Sequence, residues 1–103
     1  MKKGWAMMKE VLQRVKEQLE QSFAEPRSTS LDGAIHELEQ VKANAGEKRQ
    51  MIEDVIRAVT HAHHARVELA MAGDESATNA FAEAYRALDQ AIESYSDVDN
   101  DPV

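Results

Sequence analysis

The residues with the most concentrated chemistry are three histidines and a glutamate in one short stretch, His61, His63, His64 and Glu68. On a helix, His61 and His64 stand three apart on one face and Glu68 lies one turn further along. Two imidazoles and a carboxylate would then converge on a divalent cation. The set is incomplete. A tetrahedral centre needs another ligand, and carboxylate-bridged di-iron proteins use paired Glu-x-x-His motifs that this chain lacks. No His-Glu-x-x-His occurs, and His36 stands alone. The expectation is therefore no resident metal and no cofactor, with His61, His64 and Glu68 the residues that would hold a metal. His63 is expected near the core, with its two neighbours partly exposed. A second role for the cluster is a pH-sensitive contact, because imidazole titrates near neutrality.

Catalysis finds little else to use. Glu17 with Glu20 and Glu37 with Glu39 are carboxylate pairs, but they sit among Lys and Arg at helical spacing, without the burial that drives two acids apart in proton affinity. Ser22, Ser28 and Ser30 have no nucleophile-elbow context, and no glycine-rich loop would cradle a phosphate. The absence of cysteine removes disulfides, thiolate zinc sites and a thiol nucleophile together. These readings point away from an enzyme.

The elements that would position these side chains are helices. With 103 residues the chain closes one hydrophobic core, and an abundance of Ala, Glu, Gln, Leu and Met favours helix. Trp5, Met8, Leu12, Val15, Leu19 and Phe23 recur three or four apart and predict a helix over about 3–24, ending before Pro26. Ser30 is placed to cap a second helix, about 30–45, whose stripe is Leu31, Ala34, Ile35, Leu38, Val41 and Ala45. Gly33 in its first turn marks either a frayed start, the favoured reading, or a close helix crossing.

Asn44-Ala45-Gly46 predicts a break, and Asn44 with Glu47 has the outline of a capping box; the alternative is one helix continuous through Gly46. A third helix, about 47–72, would bury Ile52, Val55, Ile56, Val59, Ala62, His63, Leu69 and Ala70, its face widened by Met51, Val67 and Met71. That width suits a central helix contacted on two sides, or a surface for a second subunit. Gly73 and Asp74 suit a helix end and a new start. The fourth helix, about 75–95, would turn Ala77, Ala80, Phe81, Ala84, Leu88, Ala91, Ile92 and Tyr95 inward. The expected architecture is an all-α antiparallel four-helix bundle in a single domain over 1–95. Residues 96–103 read as a disordered acidic tail.

Charge is distributed unevenly along this framework. Eleven Lys and Arg balance eleven Asp and Glu through Ala70, whereas from Met71 onward Arg86 alone faces eight acids, which accounts for the whole net charge of −7. Such a balance opposes nucleic-acid binding, which needs clustered cations. An acidic face suits a basic protein partner. Glu83, Tyr85, Asp89 and Glu93 are the residues expected to meet it, and Trp5, Met7 and Met8 form a second, smaller candidate contact, with core packing the simpler role for Trp5 and Met8. No stretch approaches the roughly 20 apolar residues of a membrane span and no signal peptide is legible, so the expected location is the cytoplasm.

The segment Leu31-Asp32-Gly33-Ala34-Ile35-His36-Glu37-Leu38-Glu39-Gln40-Val41, the helix end Ala65-Arg66-Val67-Glu68-Leu69, the turn Gly73-Asp74-Glu75 and the run Ala80-Phe81-Ala82-Glu83-Ala84-Tyr85 together resemble the small helical immunity proteins that neutralise NAD-degrading toxins of bacterial type VI secretion. The resemblance spans about Leu31 to Leu88 and rests on apolar spacing with a few identities. It implies a cytoplasmic protein that binds a cognate toxin and occludes its active site. That family offers no strict motif to transfer residue by residue. The competing readings are a homodimeric helical adaptor or mobile-element protein, and a metal-binding helical bundle.

Overall fold

The computed structural model describes residues 2–25, 30–72 and 75–99, and of these the backbone alone at 2–7, 67, 69, 70, 72 and 96–99. The described chain is all-helical: α1 spans Lys2–Ala24, α2 Asp32–Lys42, α3 Arg49–Ala72 and α4 Glu75–Asp99, with a 3-10 turn over Gly46–Lys48 leading into α3. No strand occurs among the described residues.

Each helix follows its apolar stripe. Met8, Val11, Leu12, Val15 and Leu19 of α1 meet Ala34 and Leu38 of α2, Ile52, Val55, Val59 and Ala62 of α3, and Phe81, Ala84, Leu88, Ala91 and Tyr95 of α4 in one continuous core. The most extensive contact is between α3 and α4, followed by α1 with α4. The third helix also packs on α2, so it is contacted from two sides, as its broad apolar face predicts. Burying a Leu or Phe side chain from water contributes about 1.5–3 kcal/mol, so these contacts dominate the stability of so small a chain.

The break between α2 and α3 is set by Gly46. Its φ of +58° lies in the left-handed region, where a Cβ clashes with the backbone, and it is the sole described residue with a positive φ. The expected capping box does not form: the residue before the 3-10 turn is Ala45, with no side-chain cap. Ala45 is itself buried, and a backbone bond from Lys48 N–H to the Ala45 carbonyl closes the turn instead. At the front of α2, Ser30 Oγ accepts the Asp32 N–H at 3.2 Å, and the fully buried Leu31 is the residue that precedes the helix. Ser30 therefore bonds a free amide from one residue before the cap and is not the cap itself, which is Leu31 without a side-chain bond, and α2 runs from Asp32 to Lys42, shorter at both ends than the expected 30–45.

Other boundaries and faces also move. Ser22, not Phe23, continues the inward stripe of α1: Ser22 is fully buried, whereas Phe23 is 41% exposed. The positions 8, 11, 12, 15, 19 and 22 follow the 3.6-residue repeat, and Phe23 is displaced by about 60–70° from the centre of that line, on the side away from the buried Val11. Met71, expected to widen the buried face of α3, is 75% exposed. Gly33 is exposed with no atom near a Cβ built on it, which removes the close-crossing alternative. Helix α4 continues through Asp99, four residues past the end expected at Tyr95. The rest of the expected tail, the Pro26–Thr29 connector and the Gly73-Asp74 turn lie outside the described residues.

Candidate protein-interaction face

The acids of α4 are positioned by the inward stripe opposite them. Because Ala84, Leu88, Ala91 and Tyr95 are held in the core, residues Arg86, Asp89, Gln90 and Glu93 must point to solvent, and all four are exposed. Glu83 is exposed as well, while Tyr85 is half-buried. At about 100° per residue, Glu83 and Tyr85 lie roughly 160° apart around the helix. They mark the two margins of the outer face. The Glu83 margin adjoins α3, where Ser94 receives Lys48; the Tyr85 margin adjoins α1.

The α1 margin is the more structured. Lys16 Nζ of α1 donates to Asp89 Oδ1 at 2.6 Å, an ion pair between half-exposed side chains. Hydrogen bonding to Asp89 raises the Lys16 ammonium above its ordinary value; partial desolvation opposes this, and the charges of Asp89 and Glu20 add to it. One turn away, burial raises the Tyr85 phenol, helped by the negative charge of Glu20. Further along, the rings of Phe23 and Phe81 meet with centroids 5.3 Å apart in a tilted arrangement, leaving part of Phe23 in solvent. The seam between α1 and α4 thus carries Phe23, Glu20, Tyr85, Lys16 and Asp89 in sequence. Glu83 and Glu93 make no ion pair among the described residues.

At the opposite margin Lys48, from the 3-10 turn, donates to the Ser94 carbonyl at 3.1 Å and to Ser94 Oγ at 2.8 Å. Its ammonium lies 4.6 Å from the centre of the Tyr95 ring, a cation–π contact. Tyr95 is fully buried, and burial raises its phenol as well. Lys48 therefore fastens the beginning of α3 to the late turns of α4.

The histidines separate as expected. His61 and His64 are exposed, and His63 is mostly covered, its side chain 17% exposed. His63 Nε2 approaches Asp32 Oδ1 at 3.2 Å, linking α3 to the first residue of α2, while Nδ1 is buried without a hydrogen-bond partner. The rings of His63 and His64 are 5.7 Å apart. Among the described residues no three His, Cys, Asp or Glu side chains are grouped to hold a metal, so His61, His64 and Glu68 do not converge. Of the carboxylate pairs, Glu37 is engaged by Arg14 at 3.0 Å and Glu17, Glu20 and Glu39 are exposed. The side chains of Trp5 and Met7 lie outside the described residues, and Met8 is core.

No protein-family model, curated protein or solved structure matches the chain. Sequence reasoning places Tyr85 and Asp89 on α4 alone and misses Lys16 and Glu20, which act on them, and Phe23, which meets Phe81. The signal was faint: α1 presents Lys16 and Glu20 four apart beside a stripe ending in an aromatic residue, and only the register between α1 and α4 shows which acids they meet. No helix among the described residues is long and apolar enough to cross a membrane.

Proposed function

We propose that this protein is a protein-binding inhibitor, an immunity protein that binds a cognate bacterial toxin in the cytoplasm and occludes its active site. The observation that carries the reading is the outer face of α4, where Glu83 and Glu93 stand exposed without ion pairs among the described residues. On α2 and α3, Glu37, Glu53 and Asp54 are each met by an arginine, while Glu39 and Glu68 there are, like Glu83 and Glu93, exposed without an ion pair among the described residues. Unpaired charge on one face steers a basic partner and speeds association. The resemblance to immunity proteins over Leu31 to Leu88 supplies the class of partner.

The scaffold for this role is an antiparallel four-helix bundle. Supporting it, Lys16 meets Asp89 and Phe23 meets Phe81, so residue numbers rise along α1 as they fall along α4. Likewise Lys48, ahead of α3, meets Ser94 late in α4, and His63, late in α3, meets Asp32 at the start of α2.

The test is co-purification with the product of the adjacent gene, using the native chain and the double variant Glu83→Lys/Glu93→Lys. Charge reversal is expected to abolish recovery; undiminished recovery would sink the assignment. A homodimeric adaptor is the second reading, favoured by the 75% exposure of Met71. Light scattering at twice the 11.5 kDa chain mass would support it.

A further inference from the structure

We propose that the seam between α1 and α4, and not the ridge of α4 alone, is the docking surface, and that it takes an arginine side chain of a protein partner between Glu20, Phe23 and Tyr85. The inference rests on the protein-binding reading above and specifies where and by what chemistry binding occurs.

Two independent features of the seam point the same way. The first is an aromatic surface left in water: Phe23 and Met71 are the exposed large apolar side chains among the described residues, and Phe23 lies on this seam beside Phe81. One helical turn along, Tyr85 is half-buried with its phenol in the field of Glu20. The second is the state of the carboxylates. Asp89 is matched by Lys16, but Glu20 is exposed and makes no ion pair within 4 Å among the described residues. A carboxylate flanked by two partly exposed rings complements a guanidinium. Its planar fork bonds the acid, and its face stacks on the aromatics with less dehydration than an ammonium requires. Arginine is favoured over lysine for that reason, and aromatic residues with arginine are the usual anchors at the centres of protein interfaces. Lys16, held by Asp89, closes the seam on the side away from Phe23 and so fixes where the guanidinium sits.

The experiment is a titration of the isotopically labelled full chain, followed by amide and ring chemical shifts, with a hexa-arginine peptide and in parallel a hexa-lysine peptide of equal charge. Shifts are expected to centre on Glu20, Phe23 and Tyr85, with hexa-arginine binding about two- to fivefold tighter than hexa-lysine, the size of an exposed cation–π contribution. Glu20→Gln, at an exposed position, should remove most of that preference while leaving the native spectrum elsewhere unchanged. Phe23→Leu should lower the preference but not the charge-driven component. Equal binding of both peptides, or shifts centred on Glu83 and Glu93, would overturn the seam while leaving the acidic-ridge reading standing. Failure of the native chain to co-purify with the product of the adjacent gene, with the seam preference intact, would instead count against the immunity role.

Discussion

Gly46 and Gly33 give opposite, sign-definite predictions from the same substitution. Neither position would bring a new Cβ within 4 Å of any atom beyond its chain neighbours and, at Gly33, its own helix backbone, so tertiary packing drops out and the backbone alone decides. At Gly46, with φ +58°, an alanine must occupy the left-handed region, at a cost of about 1–2 kcal/mol. At Gly33, inside α2, alanine removes the entropic penalty of glycine and gains about 0.5–1 kcal/mol. In a domain of this size the first corresponds to a Tm loss of roughly 5–10 °C and the second to a gain of a few degrees. Urea unfolding followed by far-ultraviolet circular dichroism should show the two midpoints moving in opposite directions at constant slope. Gly46→Asn should recover part of the loss, because Asn tolerates the left-handed region better than Ala. Stabilisation by Gly46→Ala would refute the reasoning outright, since that is the outcome for a helix running unbroken through position 46.

Leu38→Ala, at a fully buried site between α2 and the core, should cost about 2–5 kcal/mol, measured by the same unfolding curves. Alkaline stability should fall above about pH 10: Lys16, Tyr85 and Tyr95 are all raised on folding, so their protonated forms favour the native state and that contribution is lost as pH rises past the unfolded values of 10.0 and 10.5. Tyr95→Phe should flatten this decline, read as the midpoint of urea unfolding against pH. Zinc at equimolar concentration should leave thermal unfolding unchanged, because His61, His64 and Glu68 are not grouped to bind it; a rise in Tm of several degrees would revive that site.

The four apolar stripes were legible because helical periodicity is local, and so was the break at Gly46, where one residue type signals one backbone conformation. The differences arose where two local signals compete or where the determinant is distant in sequence. Phe23 is the stronger hydrophobe, yet the phase of Met8, Val11, Leu12, Val15 and Leu19, with Val11 buried, brings Ser22 nearer the centre of the inward face than Phe23, and phase wins over residue type. Asn44 and Glu47 had the spacing of a cap, but the cap position falls one residue later, at Ala45 before Gly46, and has no side-chain bond. Tyr85 and Glu83 look adjacent in sequence and fall on opposite margins of α4. The pairing of Lys16 with Asp89 spans 73 residues, so nothing short of the register between α1 and α4 could reveal it.

Helix α2 has 11 residues, against 23 to 25 in the other three. A helix so short lies below the roughly 12–15 residues that hold together alone in water, so its persistence depends on Leu31, Ala34 and Leu38 staying docked. In hydrogen exchange, α2 amides should lose protection by a local opening well below the free energy of global unfolding, while those of α3 and α4 exchange only when the whole domain opens. The molecule would then have a built-in order of breathing, in which the segment between two long helices lifts first and the remaining three still share a core.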